Sequence, residues 1–200
     1  MQMFVTFEGL DGSGKTTQVD RLRAALEREG REVVTAREPG GTKLGEELRR
    51  LVLHGEDMSP WAEALLYAAA RAELVAEVVA PALERGADVL VDRYVDSSLV
   101  YQGIARGLGV DAVLELNLLA VGGLMPDRTF VLAIDAGRSL ARVGGRPDRI
   151  EREDAGFHAQ VEAGYARLAV LFPERVMLLD GGLPPDEIAE RVLGELRQPG

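Results

Sequence analysis

Residues 4–17 read Phe-Val-Thr-Phe-Glu-Gly-Leu-Asp-Gly-Ser-Gly-Lys-Thr-Thr, and this stretch decides the fold. Residues 4–7 alternate bulky and β-branched side chains, which predicts a buried strand that runs into a glycine-rich turn. Residues 9–16 fit the pattern G-x-x-x-x-G-K-[ST], and an apolar stripe after them predicts a helix that ends near Gly30. A strand, a glycine-rich loop and a helix in this order are typical of a phosphate-binding P-loop.

The residue types in this loop suit a polyphosphate. Backbone N–H groups of a glycine-rich loop can turn toward an anion, and the helix N-terminus adds partial positive charge. Lys15 is a compact cation that can bridge β- and γ-phosphates, and the Thr16 hydroxyl can bind Mg²⁺. The residues expected to bind ATP are Gly9, Leu10, Asp11, Gly12, Ser13, Gly14, Lys15, Thr16 and Thr17.

Strands and helices alternate along the rest of the chain. We expect further strands at residues 32–36, 88–92, 129–135 and 176–180, and helices at 42–52, 60–85, 97–105, 111–121, 157–171 and 185–196. Pro81 is expected to kink the longest helix. The alternation predicts one α/β domain over residues 1–200, of the P-loop NTPase fold, with a parallel five-stranded sheet flanked by helices. A polar segment rich in arginine and glycine, about 138–154, is expected to form a short mobile lid.

Composition narrows the class of protein. A chain of 200 residues with 46% hydrophobic and 28% charged residues is ordinary for a soluble globular protein. Its net charge of −10 disfavours a protein that coats nucleic acid, and its lack of cysteine excludes disulfides and thiolate catalysis. Neither a signal peptide nor a membrane-spanning run is recognisable, so we expect no membrane partner and a cytoplasmic location.

A P-loop alone is shared by GTPases, motors and small-molecule kinases. The guanine motif N-K-x-D is impossible here, because Asn117 is the only asparagine and Leu118 follows it. A motor usually needs a larger domain, which leaves a kinase for a small acceptor. Asp92 ends the predicted third strand, where a parallel sheet places ligand-facing residues, and is expected to hold Mg²⁺ together with Thr16. A nucleotide-binding regulatory protein without turnover is the alternative outside enzymes, and the presence of Lys15, Thr16 and Asp92 disfavours it.

Five segments carry a resemblance to one family. They are the P-loop with an acidic third position (Asp11), Arg37-Glu-Pro-Gly-Gly-Thr42, Leu65-Leu-Tyr-Ala-Ala-Ala-Arg71, Asp92-Arg-Tyr-Val-Asp-Ser-Ser-Leu-Val-Tyr-Gln-Gly103 and Asp148-Arg-Ile-Glu151. Because these five segments occur in this order and spacing, the chain resembles the bacterial thymidylate kinases over essentially its whole length. The resemblance implies that ATP phosphorylates dTMP to dTDP, with Mg²⁺, in a homodimer. A kinase for another nucleoside monophosphate or a deoxynucleoside is the alternative within the class.

The resemblance also implies roles for single residues. An arginine fork matches phosphate oxygens, and the family uses such arginines, here Arg93 and Arg37, to grip the acceptor phosphate. Tyr67, at a position that is commonly Phe, would stack on thymine, Arg71 would bond a base oxygen, and Tyr101 would crowd the sugar 2′ position. Asp11 would also meet the sugar 3′-hydroxyl. Ser98 and Gln102 are four residues apart and share one face of a predicted helix. The residues expected to bind dTMP are Asp11, Arg37, Arg49, Tyr67, Arg71, Arg93, Ser98, Tyr101 and Gln102.

The P-loop lacks one charge that phosphoryl transfer needs. Its variable residues, Leu10 to Ser13, include no basic side chain. An arginine must therefore reach the transferring group from elsewhere, and the predicted lid is rich in arginine. We expect catalysis to involve Lys15, Arg93 and one or both of the lid residues Arg146 and Arg149.

Overall fold

The computed structural model describes residues 2–142, 144 and 147–197 of the chain. Its five strands form one parallel sheet in the order β2-β3-β1-β4-β5, which confirms the predicted sheet and fold class. The strands are β1 Phe4–Glu8, β2 Val33–Arg37, β3 Asp88–Asp92, β4 Arg128–Ala133 and β5 Val176–Asp180. The central strand, β1, is buried along its whole length, as its run of bulky apolar residues predicts.

Helices cover both faces of the sheet. Within the described residues they are α1 Lys15–Arg28, α2 Lys43–His54, α3 Pro60–Leu74, α4 Ala80–Glu84, α5 Val95–Ser98, α6 Val110–Ala120, α7 Ala136–Arg142, α8 Ala155–Leu171 and α9 Pro185–Leu196. Side chains cap several of them: the Thr42 hydroxyl accepts from the Gly45 backbone N–H at 2.9 Å, and the Asp154 carboxylate accepts from Phe157 N–H at 2.8 Å. Such caps satisfy N–H groups that the first helical turn leaves free.

The core lies in two layers, one on each face of the sheet. Because side chains alternate along a strand, Phe4 joins one layer while Val5 and Phe7 join the other. The first layer packs against α3 and α8 through residues such as Leu74 and Val161. The second layer includes Leu22, Leu26, Phe130, Leu132, Ile188 and Val192, which come from α1, β4 and α9.

The register of the strands places their carboxyl ends at one edge of the sheet. Asp92, the last residue of β3, is paired with Phe7 of β1 and with Arg37 of β2. The loops that follow β1, β2 and β3 therefore begin next to one another, at the edge where open parallel sheets bind ligands.

The long helix predicted at residues 60–85 is interrupted. It is built of α3, a π-helical turn over Val75–Val79, and α4, which begins one residue before Pro81. Proline has no N–H and cannot form the regular i to i−4 hydrogen bond of an α-helix. The turn before Pro81 has i to i−5 hydrogen bonds instead, such as the one from the Ala80 N–H to the Val75 carbonyl. A second π-helical stretch, Leu99–Ala105, continues α5 where one helix was predicted.

Residues 138–142, the first part of the predicted lid segment, belong to α7. The Asp135 carboxylate accepts from the Arg138 N–H at 3.1 Å, and the Asp135 carbonyl accepts from Ser139 N–H at 2.9 Å. The Ser139 hydroxyl donates to the carbonyl of Asp11 and so ties the helix to the P-loop. Among the described residues, no helix is both long and apolar enough to cross a membrane.

Candidate active site

The P-loop joins β1 to α1, as the sequence predicts. Gly9 has a φ of 132°, and a Cβ there would lie 2.6 Å from the carbonyl oxygen of Leu132, so only glycine fits. The Lys15 ammonium donates to the carbonyls of Gly9 at 3.2 Å and Leu10 at 2.9 Å. These bonds fold the lysine back across the loop and keep its charge beside the backbone that would surround a phosphate.

The Lys15 ammonium is under electrostatic strain. Burial and the nearby positive charge of Arg93 lower the pKa of Lys15 to about 8, against the opposing charges of Asp92, Asp11 and Glu8. A polyphosphate beside the ammonium would favour its charged form. The site is therefore poised to gain an anion.

Thr16 and Asp92 form a pair of oxygen ligands. The Thr16 hydroxyl donates to the Asp92 carboxylate at 2.7 Å, across the gap between α1 and the end of β3. A hydroxyl and a carboxylate are hard oxygen donors of the type that Mg²⁺ prefers, and both border the cleft beside the P-loop. The two residues predicted as metal ligands thus fit the ion.

Arg93 and Asp11 form an ion pair between the P-loop and the end of β3. The Arg93 guanidinium donates to the Asp11 carboxylate at 2.7 Å, and Arg93 has a φ of 70°, a strained value for a residue with a side chain. Burial opposes ionisation of Asp11, but the charges of Arg93 and Lys15 outweigh it and hold the pKa of Asp11 at about 2. Asp11 is therefore an acceptor of hydrogen bonds at neutral pH.

Glu8 holds the segment that carries Arg93. Its buried carboxylate accepts from the Tyr94 N–H at 2.7 Å, the Ser97 hydroxyl at 2.5 Å and the Tyr165 hydroxyl at 3.1 Å. The Arg93 guanidinium donates in turn to the Ser97 and Tyr165 hydroxyls, at 3.1 and 3.3 Å. Burial, followed by the negative charge of Asp96, raises the pKa of Glu8 to about 7.

Positive charge is gathered around a cleft of about 420 Å³ at the P-loop. Its cationic side chains are Lys15, Arg37, Arg49, Arg93 and Arg142. The Arg49 guanidinium donates to the carbonyl oxygen of Pro39 at 2.9 Å. Arg37 is exposed, and its Nη2 lies 3.5 Å from a carboxylate oxygen of Glu46. Three carboxylates, Asp11, Glu38 and Asp92, also line the cleft, so cationic side chains outnumber acidic ones there by five to three although the chain carries a net charge of −10.

A second, narrower pocket opens into this cleft. The two cavities share Asp11, Glu38, Arg49 and Arg93 as walls. Four of the residues expected to contact the dTMP nucleoside line the pocket: Tyr67, Ser98, Tyr101 and Gln102. The Arg93 guanidinium carbon lies 5.5 Å from the centre of the Tyr101 ring, and burial raises the pKa of Tyr101 to about 12.

Arg71 lies behind the wall of the pocket. It is 1% exposed and donates to the Glu38 carboxylate at 2.7 Å, the Ser98 hydroxyl at 3.1 Å and the carbonyl of Tyr94 at 3.0 Å. It also donates to the Asn117 side chain. The structure therefore joins Arg71 to two residues that line the pocket, Glu38 and Ser98. Burial raises the pKa of Glu38 to about 7 against the charge of Arg71.

The structure does not bring Arg149 to the P-loop. Its guanidinium donates to the carbonyl of Val52 at 2.9 Å and pairs with the buried Glu63 carboxylate at 2.7 Å. Arg146, the other predicted lid cation, lies outside the described residues. Arg142 is the lid residue beside the P-loop, with Nη1 at 3.4 Å from the carbonyl oxygen of Gly12.

The site residues that were not selected from the sequence include Glu8, Glu38, Glu63 and Arg142. Glu8 had a usable signal, because a carboxylate in an otherwise apolar strand must have partners when it is buried. Glu63 looked like an ordinary charge on the first turn of a helix. Arg142 could not be told from its neighbours, because the choice among lid arginines depends on where α7 ends.

The fold and this cleft define the chain as a P-loop protein of the small-molecule kinase type. A model of the family "Thymidylate kinase" matches residues 7–192. The chain is 51% identical to the thymidylate kinase of Leifsonia xyli over 194 residues, 95% of this chain and 92% of that protein. It is 48% identical to that of Synechococcus sp. over 192 residues, 95% of this chain and 93% of that protein.

A solved structure agrees with these relatives. The crystal structure of thymidylate kinase from Ehrlichia chaffeensis superimposes with a TM-score of 0.81 at 30% identity, covering 98% of this chain and 99% of that one. The chain belongs to the thymidylate kinase family, as the five sequence segments predict.

Proposed function

We propose that the 200-residue chain acts as one kinase domain that transfers the γ-phosphoryl group of ATP to dTMP, giving dTDP and ADP. The observation that carries the proposal is the meeting of two cavities at Asp11, Arg49 and Arg93. One cavity is built around a P-loop and the other is lined by aromatic and amide side chains. A donor polyphosphate and an acceptor monophosphate would therefore meet where the two cavities share walls, beside Asp11, Glu38, Arg49 and Arg93.

The donor side follows from the P-loop. Residues 9–17 bind the phosphates of ATP, and the Lys15 ammonium leaves its two carbonyl partners to meet the β- and γ-phosphates. Thr16 and Asp92 hold Mg²⁺, which supplies charge neutralisation on the phosphate oxygens when bound. Both ligands border the cleft on the side of Lys15, which supports this arrangement.

The acceptor side follows from the arginines and the pocket. Arg93, with Arg37 and Arg49, grips the dTMP phosphate, and Asp11 accepts from the sugar 3′-hydroxyl. A phosphate monoester has a second pKa of about 6, so the attacking oxygen needs no strong base at neutral pH. Catalysis then consists of positioning and charge stabilisation.

The nucleoside occupies the aromatic pocket. Tyr67 stacks on thymine, Tyr101 excludes a 2′-hydroxyl, and Ser98 and Gln102 meet the base edge. Arg71 contributes a charge at the base oxygen, either directly or through Ser98, to which it already donates. A buried, fully bonded arginine keeps the pocket wall in one conformation.

Lid arginines complete the positive charge around the transferring group. Arg142 is the best placed of them, because it already borders the phosphate cleft. Arg146 is a further candidate, and Arg149 would first have to leave Glu63.

We further propose that the protein works in the cytoplasm as a homodimer on ATP and dTMP, and not on nucleic acid or membranes. The net charge of −10 supports a small-molecule substrate.

A panel of nucleoside monophosphates with MgATP tests the proposal, with ADP release followed in a coupled assay. We expect dTMP to give the highest kcat/KM and dUMP to fall about 10–200-fold below it, because one methyl group in an apolar pocket discriminates to that extent.

Lys15→Ala should lower kcat by about a hundredfold or more, since it removes a cation acting on the transferring group. The matched control is Lys43→Ala, which removes the other lysine, an exposed one. Preference for another monophosphate, or equal turnover in both variants, contradicts the proposal.

A further inference from the structure

The amide of Gln102 has one fixed partner. Its Nε2 donates to the Glu63 carboxylate at 2.8 Å, and Glu63 is 1% exposed. A carboxylate accepts hydrogen bonds and donates none, so the NH₂ end of the amide must face Glu63. The amide oxygen is then the polar atom that Gln102 presents to the pocket it lines.

Glu63 is itself held by two arginines. The Arg106 guanidinium donates to it at 3.1 and 3.2 Å, and the Arg149 guanidinium lies 2.7 Å away. Burial opposes ionisation of Glu63, but the hydrogen bonds from Arg106, Gln102 and Arg149 outweigh it and lower the pKa of Glu63. Glu63 is therefore an anion at neutral pH, and its position is fixed by α3, the C-terminal end of the π-helical stretch and the lid segment that carries Arg149.

An amide with a fixed orientation reads one feature of a pyrimidine. Thymine and uracil carry a donor at N3, which an amide oxygen can accept, whereas cytosine carries an acceptor at N3. To meet cytosine, the Gln102 amide would have to rotate and bring its oxygen against the Glu63 carboxylate. Buried polar groups left without partners are the feature that gives polar sites high selectivity.

We propose that Glu63 is a positioning residue that sets the base specificity of the kinase by fixing the orientation of the Gln102 amide. This inference rests on the proposed function, since it takes the pocket lined by Gln102 as the base site. Glu63 does not touch the substrate. Its effect reaches the base only through Gln102, and the same carboxylate links that amide to Arg149 of the lid segment.

The test compares dTMP with 5-methyl-dCMP, which has the same sugar and methyl group and differs in the base edge at N3 and position 4. Glu63→Gln places a second amide beside Gln102 that can donate to its oxygen, so the rotated amide becomes allowed. We expect the ratio of kcat/KM for dTMP over 5-methyl-dCMP to fall about tenfold, the value of one hydrogen bond in a desolvated site. The change should appear mainly in KM, because the reacting phosphate is untouched.

The matched control is Glu153→Gln. Glu153 pairs with Arg106 at 2.6 Å, whereas the Gln102 amide donates to Glu63, so this variant removes one charge from the same network and should keep the ratio. Glu63→Asp is a second variant for the case in which Glu63→Gln does not fold. It keeps an anion for the arginines but moves it away from Gln102, so the ratio should fall less than in Glu63→Gln. An unchanged ratio in whichever Glu63 variant folds, or an equal fall in Glu153→Gln, overturns the inference. A wild-type protein that does not phosphorylate dTMP overturns the proposed function instead.

Discussion

Lys15 combines two demands that oppose each other. It must be buried to lie beside the transferring phosphate, and it must be charged to act on it. In the unliganded cleft, burial and Arg93 have moved its pKa to about 8, well below the ordinary value of a lysine. Binding of a polyphosphate restores the charged form, so nucleotide binding and protonation are linked.

This linkage predicts proton uptake when MgATP binds. Between pH 8 and about 10.5 the free protein has a largely neutral Lys15, while the bound protein has a charged one, so uptake should rise from about 0.1 proton at pH 7 to nearly one at about pH 9. Titration calorimetry in buffers of different ionisation enthalpy measures it. Lys15→Arg is the control, because a guanidinium stays charged throughout this range. Binding enthalpies at pH 9 that do not depend on the buffer would refute the link.

At the scale of elements, α7 gives the lid a defined start. The helix is attached to the P-loop through Ser139 and Asp11, and Arg142 at its end borders the phosphate cleft. A helix so attached needs only a small movement to bring a guanidinium to the transferring group. We propose that α7 supplies the cation that the P-loop lacks.

Arg142→Ala should therefore lower kcat by about a hundredfold while changing the KM for dTMP much less, the pattern of a contact made mainly in the transition state. Arg152→Ala, which removes an exposed arginine of the same predicted lid segment that does not line the phosphate cleft, serves as the control. Steady-state kinetics with both substrates varied separates the two parameters. A normal kcat in the Arg142 variant would remove α7 from the chemistry.

The elements were predictable where local rules decide them. The bounds of β3, β5 and α9 match the predicted residues 88–92, 176–180 and 185–196, because apolar runs and proline or glycine boundaries mark their ends. The P-loop and the end of β3 also lie together as predicted, since parallel strands bring their carboxyl ends to one edge. The partners of Arg149 and Glu63 were not predictable, because they depend on how segments between 39 and 97 residues apart in the chain pack.

In the molecule as a whole, a buried ion pair connects the helix that follows β3 with the strand β4 and the chain just before β5. Asp96 is fully buried and accepts from Arg175 at 2.5 and 2.8 Å and from the Thr129 hydroxyl at 3.1 Å. It thereby connects α5, next to Arg93, with β4 and the residue before β5. These bonds anchor the segment that follows Arg93 to the sheet.

Asp96→Ala should destabilise the protein by about 3 kcal/mol or more, because it leaves Arg175 and Thr129 without their shared buried partner. For a chain of this length, such a loss lowers the melting temperature by roughly 6–12 °C. Glu187→Ala removes an exposed partner of Arg191 and should change the melting temperature little. Equal shifts in the two variants, measured by calorimetry, would contradict the role given to Asp96.

The central claim is that one cleft passes a phosphoryl group directly from ATP to dTMP. Incubation of the protein with dTMP, Mg²⁺ and ATP labelled at the γ-phosphate, followed by separation of the nucleotides and inorganic phosphate, tests this claim most directly. We expect the label to appear in dTDP, in an amount equal to the ADP formed, and little label to be released without dTMP. Label recovered as inorganic phosphate whether or not dTMP is present would contradict it.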